Sequence, residues 1–197
     1  EWTQEGTQAH GFIEQCLALD MAPEALGCAP AMATPVRLAL GEMRGWIPEA
    51  VRWGSETKIE LPELDPEAFG TVDFWALVPN EEGPGCRLVD IDYKHGQGVA
   101  VEALGNPQIR YYALGLISTL ARQAGLSPKA WVESVNLREI ELVIVQPRSP
   151  GRKHSADFLT PDELFGWFAD TLYPGVQLVR EAERQQQAMR AAEWVAK

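Results

Sequence analysis

A chain of 197 residues with 46% apolar content suits one well-filled domain rather than two. Seventeen basic against 28 acidic residues leave a net charge of −11, which argues against a nonspecific nucleic-acid coat but suits a metal site, which needs acids. Three cysteines (Cys16, Cys28, Cys86) lack metal-ligand spacing, their odd number argues against a disulfide framework, and no apolar run is long enough to span a membrane, so a reducing cytoplasm and no membrane partner are expected.

The chain opens in mid-pattern, so a segment preceding Glu1 is expected. Residues 5–19 predict a helix with an apolar stripe of Phe12, Ile13, Cys16, Leu17 and Leu19. Residues 21–34, rich in Ala, Pro and Gly, read as a loop, and 35–52 as a helix weakened by Gly41, Gly45 and Pro48. Strands follow near 54–61, 69–78 and 86–94. The last two are joined by the hairpin material Pro79-Asn-Glu-Glu-Gly-Pro-Gly85, and Gly96 and Gly98 end the third. A helix covers 106–124, with Asn106 as N-cap and Pro107 at its first position. An apolar strand at 138–146 is expected to lie centrally, and 86–94, 106–124 and 138–146 form a βαβ crossover. Thr160-Pro-Asp-Glu163 starts a helix running to Tyr173, and 175–195 is a charged terminal helix. The order predicts a single α/β domain over 1–197, a mixed sheet with helices on both faces.

Pairing 69–78 with 86–94 brings Asp73 near Asp92, and the two-residue period of a strand puts Asp92 and Lys94 on one face. Two carboxylates with a backbone carbonyl can hold a hard divalent cation while leaving positions for water and a phosphate oxygen. A compact ammonium beside them can orient the water or stabilise the transition state. The same D-x-K triplet also suits a surface hairpin whose carboxylates face solvent. His10 and Glu14, four apart on a helix, offer either a further ligand or an ordinary surface pair. Gln108 and Tyr112, also four apart, either bond the lysine or a phosphate or sit at the core edge. Glu56 is either an accessory acid or a surface residue. In the basic run Arg148-Ser-Pro-Gly-Arg-Lys-His154, the residues Arg148, Arg152 and Lys153 either meet DNA phosphates or lie in a solvated loop.

Four strings follow one another over residues 5–147: Glu5-Gly-Thr-x-x-His10-x-x-x-Glu14, Gly70-Thr-Val-Asp73, Asp92-Tyr-Lys94-x-Gly96-x-Gly98, and Asn106-Pro-Gln108-x-x-x-Tyr112-Ala. Together they resemble the RecB-like branch of the PD-(D/E)xK nuclease superfamily, and within it an uncharacterised phage and prophage group. The resemblance implies a restriction-endonuclease-like core and Mg2+- or Mn2+-dependent hydrolysis of DNA phosphodiesters. It implies metal binding by His10, Asp73, Asp92 and the Tyr93 carbonyl, catalysis by Lys94, and a glutamine–tyrosine motif at Gln108 and Tyr112 beside the site. It further implies an exonuclease of phage recombination or DNA repair, in the bacterial or phage-infected cytoplasm. The implied substrate is double-stranded DNA, with a strand-annealing protein and a homo-oligomeric ring as partners.

The chain departs from the pattern in two ways. The four cysteines of an iron–sulfur cluster are missing, so no cluster is expected. Asp90 stands where an apolar residue is usual, and by strand alternation it either perturbs the site, approaches a second ion, or lies beyond the bend in solvent. The competing function is a catalytically silent DNA-binding or scaffold module of a recombination complex, which the net charge favours and the intact acid, acid and lysine set disfavours.

Overall fold

The computed structural model describes residues 2–81 and 83–195, with side chains over 4–81 and 83–188. Glu82 in the predicted hairpin gap, and the extreme ends of the predicted domain, lie outside the described residues. The elements in chain order are α1 (Trp2–Leu19), α2 (Pro30–Trp46), β1 (Arg52–Glu60), β2 (Phe69–Pro79), β3 (Cys86–Tyr93), α3 (Pro107–Gln123), α4 (Pro128–Ser134), β4 (Leu137–Val145), β5 (His154–Leu159), α5 (Pro161–Trp167) and α6 (Tyr173–Val195). The five strands form one sheet in sequential order, antiparallel at every step except β3 against β4, which run parallel. Helices cover both faces, giving the restriction-endonuclease-like α/β architecture.

The strands carry a different apolar set on each face, so there are two cores. On one face Ile13 and Cys16 of α1 and Val36, Leu40 and Met43 of α2 pack on Phe74, Val89, Ile91 and Val143. On the other, Ile109, Leu116, Ile117 and Leu120 of α3, with Trp131 and Leu164, pack on Ile59, Leu88, Ile140 and Leu142. The middle of the sheet is buried on both sides, which is why β3 and β4 read as nearly continuous apolar runs.

The predicted strands fall within two residues of β1 to β4, and α3 begins at the expected cap, where the Asn106 side chain accepts the Gln108 backbone N–H. Five expectations are corrected. The supposed loop at 30–34 belongs to α2, because Pro30 sits in a first helical turn, where no backbone N–H is required. That helix stops at Trp46, and a short 3-10 turn at Ile47–Glu49 leads into β1, so residue 52 is strand rather than helix. A short helix, α4, is added after Ser127, whose hydroxyl accepts the Ala130 N–H. A fifth strand, β5, is added as a six-residue edge whose buried Ser155 and Asp157 bond a loop instead of joining a core, so no apolar alternation announces it. The two predicted C-terminal helices are linked through a π-helical turn at Phe168–Leu172 rather than separated by a break. The first of them starts as expected, with Thr160 and Glu163 in a reciprocal capping box.

Candidate active site

The site forms where β2 and β3 part. Their last ladder pair is Phe74 with Ile91, so Asp73 and Asp92 face one another just beyond it. Asp73 Oδ2 closes the gap by accepting the Tyr93 backbone N–H at 2.7 Å. A second irregularity lies on the other side of β2. Ser55 pairs with Phe74 and Thr57 with Val72, which leaves Glu56 and Asp73 unpaired between them. Glu56 has φ +44, a left-handed conformation uncommon outside glycine, asparagine and aspartate. The irregularity shifts the strand's alternation: Val72 belongs to the α3-side core, whereas Phe74, two residues on, belongs to the α1–α2 side. At this slip Asp73 meets α1, whose His10 Nδ1 lies 3.2 Å from Asp73 Oδ1 and 3.5 Å from Glu56 Oε1.

Burial alone would lower the His10 pKa. The hydrogen bonds and charges of Asp73 and Glu56 outweigh it and raise it to about 10. A cation is therefore favoured at this position. Ligand atoms of His10, Glu56 and Asp73 all lie within 4.8 Å of one another.

The second half of the site comes from β3 and α3. Lys94 continues the parallel ladder by donating its backbone N–H to the Val145 carbonyl. Its Nζ lies 2.9 Å from Asp92 Oδ2 and 3.1 Å from Oδ1, and donates to Gln108 Oε1 at 2.9 Å. Gln108 Nε2 in turn donates to the Tyr112 hydroxyl at 3.1 Å, the two residues being stacked one turn apart on α3. Burial and the neighbouring Asp73 raise Asp92 to about 6, against the opposing pull of Lys94 and His10. Tyr112 is placed by close packing: a Cβ on Gly70 would lie 3.1 Å from its ring, and one on Gly115 would lie 2.4 Å from Ile59 Cδ1.

Asp73, Asp92, Tyr93, Lys94 and Tyr112 floor an open cleft of about 630 Å³. One wall is α1, through Gly6, Thr7 and His10, and the other is the loop after β3, through Gly96, Gly98, Val99 and Val101. That loop is held from β4 and β5. The buried Gln146 side chain accepts the Val101 N–H and donates to the carbonyls of Gly96 and Val99, while Ser155 and Asp157 accept the N–H groups of Ala103 and Gly105.

His95 closes the rear. Arg148 can only donate to its Nε2, so the ring proton sits on Nδ1, which faces the Tyr93 hydroxyl at 2.6 Å. Burial and Arg148 both lower its pKa. Neither His95 nor Gln146 was anticipated as part of the site. His95 had a weak signal, standing next to Lys94, but Gln146 had none, since its partners lie 45–50 residues away in the chain.

Of the predicted residues, the structure brings together His10, Glu56, Asp73, Asp92, Tyr93, Lys94, Gln108 and Tyr112. Glu14 is exposed and does not line the cleft; Ala9, Ile13 and Cys16 take the buried side of α1, so one turn beyond His10 the stripe has rotated outward. Asp90 does not lie in solvent. It is 0% exposed, and neither carboxylate oxygen has a hydrogen-bond partner among the described residues. Burial, with the charges of Asp92 and Asp73, raises its pKa well above the carboxylate range. Arg148, Arg152 and Lys153 are not among the residues lining the cleft; Arg148 bonds Glu5 and His95, and Arg152 pairs with Glu102.

Residues 54–195 match a family described as "Protein of unknown function (DUF2800)". The matched span carries every gathered residue except His10. No curated protein matches the chain.

Proposed function

The chain belongs to the DUF2800 family, and we propose that this member is a metal-dependent deoxyribonuclease that hydrolyses phosphodiester bonds. One observation carries the reading: Asp73, Asp92 and Lys94, separated by up to 21 positions in sequence, converge where two strands part, at the floor of an open cleft. The resemblance to RecB-like PD-(D/E)xK nucleases supports exonuclease action in phage recombination or DNA repair.

The donor set suits Mg2+ or Mn2+. Asp73, Asp92 and the Tyr93 carbonyl are hard oxygen ligands, and the His10 imidazole adds a nitrogen that manganese accepts more readily than magnesium. Glu56 stands close enough to contribute. When bound, such a cation supplies Lewis acidity to a phosphate oxygen and lowers the pKa of water. The chain's own groups do the rest. Lys94 lies against both oxygens of Asp92 and presents a compact positive charge where negative charge grows on the phosphate. Gln108 fixes that ammonium, and the Tyr112 hydroxyl fixes Gln108, so the lysine is oriented before substrate arrives. The hydrogen bond from the Tyr93 N–H to Asp73 holds that carboxylate in the strand gap.

The test is digestion of end-labelled linear and closed circular DNA with Mg2+ or Mn2+. Linear DNA is expected to shorten from its ends while the circle persists, and Ca2+ is expected to support binding without cleavage. Absence of divalent-ion binding by calorimetry would remove the proposal and leave the silent DNA-binding module.

A further inference from the structure

A second cavity, of about 380 Å³, opens among α3, α4 and α5 and shares no lining residue with the acidic cleft. Its walls are Leu61, Leu114, Pro128, Phe165 and Phe168. Leu61 and Leu114 are buried in the α3-side core, whereas Phe165 and Phe168 pack on that core only in part. Two charged residues stand in this apolar lining. Glu63, on the connection after β1, is drawn back onto α3, where its carboxylate accepts the Ser118 hydroxyl at 3.1 and 3.3 Å. Ser118 is 1% exposed, so the body of the protein fixes the position of that carboxylate. Lys129 lies in the first turn of α4. Neither Glu63 nor Lys129 has an ion-pair partner among the described residues.

A slot of this kind selects by charge at its rim and by apolar area within. Its volume lies near the lower end of the roughly 300–1,000 Å³ common for small-molecule pockets, which are lined mostly by apolar and aromatic side chains with a few placed polar groups. A ligand with an anionic head, such as a fatty acid or a nucleotide, can meet Lys129 but sets its charge against Glu63. A ligand with a cationic head meets Glu63 and leaves Lys129 without a partner. A wholly apolar ligand serves neither. A zwitterion with an apolar body serves both, and the half-buried phenylalanine rings offer faces to that body and to an ammonium beside it.

We propose that this cavity binds a free α-amino acid with a large apolar side chain, its ammonium at Glu63, its carboxylate at Lys129 and its side chain between Phe165 and Phe168. The site is separate from the acidic floor, and the inference is independent of the deoxyribonuclease reading. Leu114 and Ser118 belong to the same helix as Gln108 and Tyr112, so the ligand seats on the element that fixes Lys94.

The experiment is isothermal titration calorimetry of the full chain with L-phenylalanine, glycine, phenethylamine, phenylpropionate and N-acetyl-L-phenylalanine amide. L-Phenylalanine is expected to bind, and glycine, which has both charges and no side chain, is not. Phenethylamine and phenylpropionate, each lacking one charge, are expected to bind about fivefold more weakly, the upper scale of one exposed ion pair. Two variants at exposed positions test the assignment of each charge. Glu63→Gln keeps an acceptor for Ser118 and is expected to weaken L-phenylalanine about fivefold while leaving phenylpropionate unchanged. Lys129→Met keeps the apolar stem and is expected to weaken L-phenylalanine similarly while leaving phenethylamine unchanged. Both are expected to keep the wild-type melting temperature. Absence of a saturable heat with L-phenylalanine, L-leucine and L-methionine up to the solubility of each would overturn the proposal, as would variants that weaken all the ligands alike or none. Equally tight binding of the N-acetyl amide would also overturn it, and would make the slot a seat for an apolar side chain of a peptide.

Discussion

The floor of the cleft and the basic loop over residues 148–154 carry opposite charge and opposite degrees of completion. The loop is the most cationic run in the sequence, but in space both of its arginines and its histidine are taken: Arg148 by Glu5 and His95, Arg152 by Glu102, His154 by Glu42. The floor holds Glu56, Asp73 and Asp92 against Lys94 and His10, and behind them Asp90, whose carboxylate has no hydrogen-bond partner among the described residues. The difference shows that a charge run measures composition, whereas function collects where charge is left unbalanced and water is partly excluded.

The largest expected effect follows from the floor. Asp92→Asn removes a charge that Lys94 and a cation both require, so DNA cleavage with Mn2+ is expected to fall by about 10²–10³-fold or more with the far-UV circular dichroism unchanged. Arg148→Ala, by comparison, is expected to change cleavage only a few-fold. Equal losses in the two variants would erase the contrast between the regions.

The next effect tests what positions the floor. Gly115 lets α3 approach β1, and a methyl there meets both Cδ1 and Cβ of Ile59. Gly115→Ala is expected to destabilise the fold by about 2 kcal/mol, the usual scale of overpacking, read as a lower urea midpoint. An unchanged midpoint would mean that Ile59 moves aside without cost.

A smaller effect, of opposite sign, comes from Asp90. Its folded pKa is raised by burial and by Asp92 and Asp73, so the folded state holds a proton that the unfolded chain releases near the ordinary carboxylate value. The associated stability is fully present below that unfolded value and is lost as pH rises toward the folded one. Asp90→Leu is therefore expected to stabilise the protein by about 1–2 kcal/mol at pH 7, since it removes a buried acid that has no hydrogen-bond partner among the described residues, and by little at pH 4. Urea titrations at the two pH values measure this, and a greater gain at pH 4 would contradict the sign.

Much of the site was legible because its rules are local. The strand period placed Asp92 beside Lys94, the hairpin brought Asp73 to them, and the i, i+4 spacing joined Gln108 to Tyr112. The same spacing misled at Glu14, because it says which residues are neighbours and not which way the pair faces. What escaped was tertiary. For Glu56, left open between accessory acid and surface residue, the deciding feature is a left-handed backbone that its residue type does not announce, and Gln146 serves a loop far away in sequence. β5 looked like loop because its inward side chains are polar, their partners being the backbone N–H groups of the cleft wall.

The smallest expected effect concerns the loop that sequence made conspicuous. Arg152 is 69% exposed on its side chain, and its contact with Glu102 is 3.5 Å long. Exposed pairs of this kind contribute about 0–1 kcal/mol, so Arg152→Ala is expected to move the urea midpoint barely at all. Each phosphate contact adds about 0.9 to the slope of log affinity against log salt. If Arg152 stays with Glu102 while DNA occupies the cleft, the slope of the variant matches that of wild type. If the slope falls by about 0.9, the arginine leaves its partner for a phosphate, and the loop joins the floor as part of one continuous DNA path.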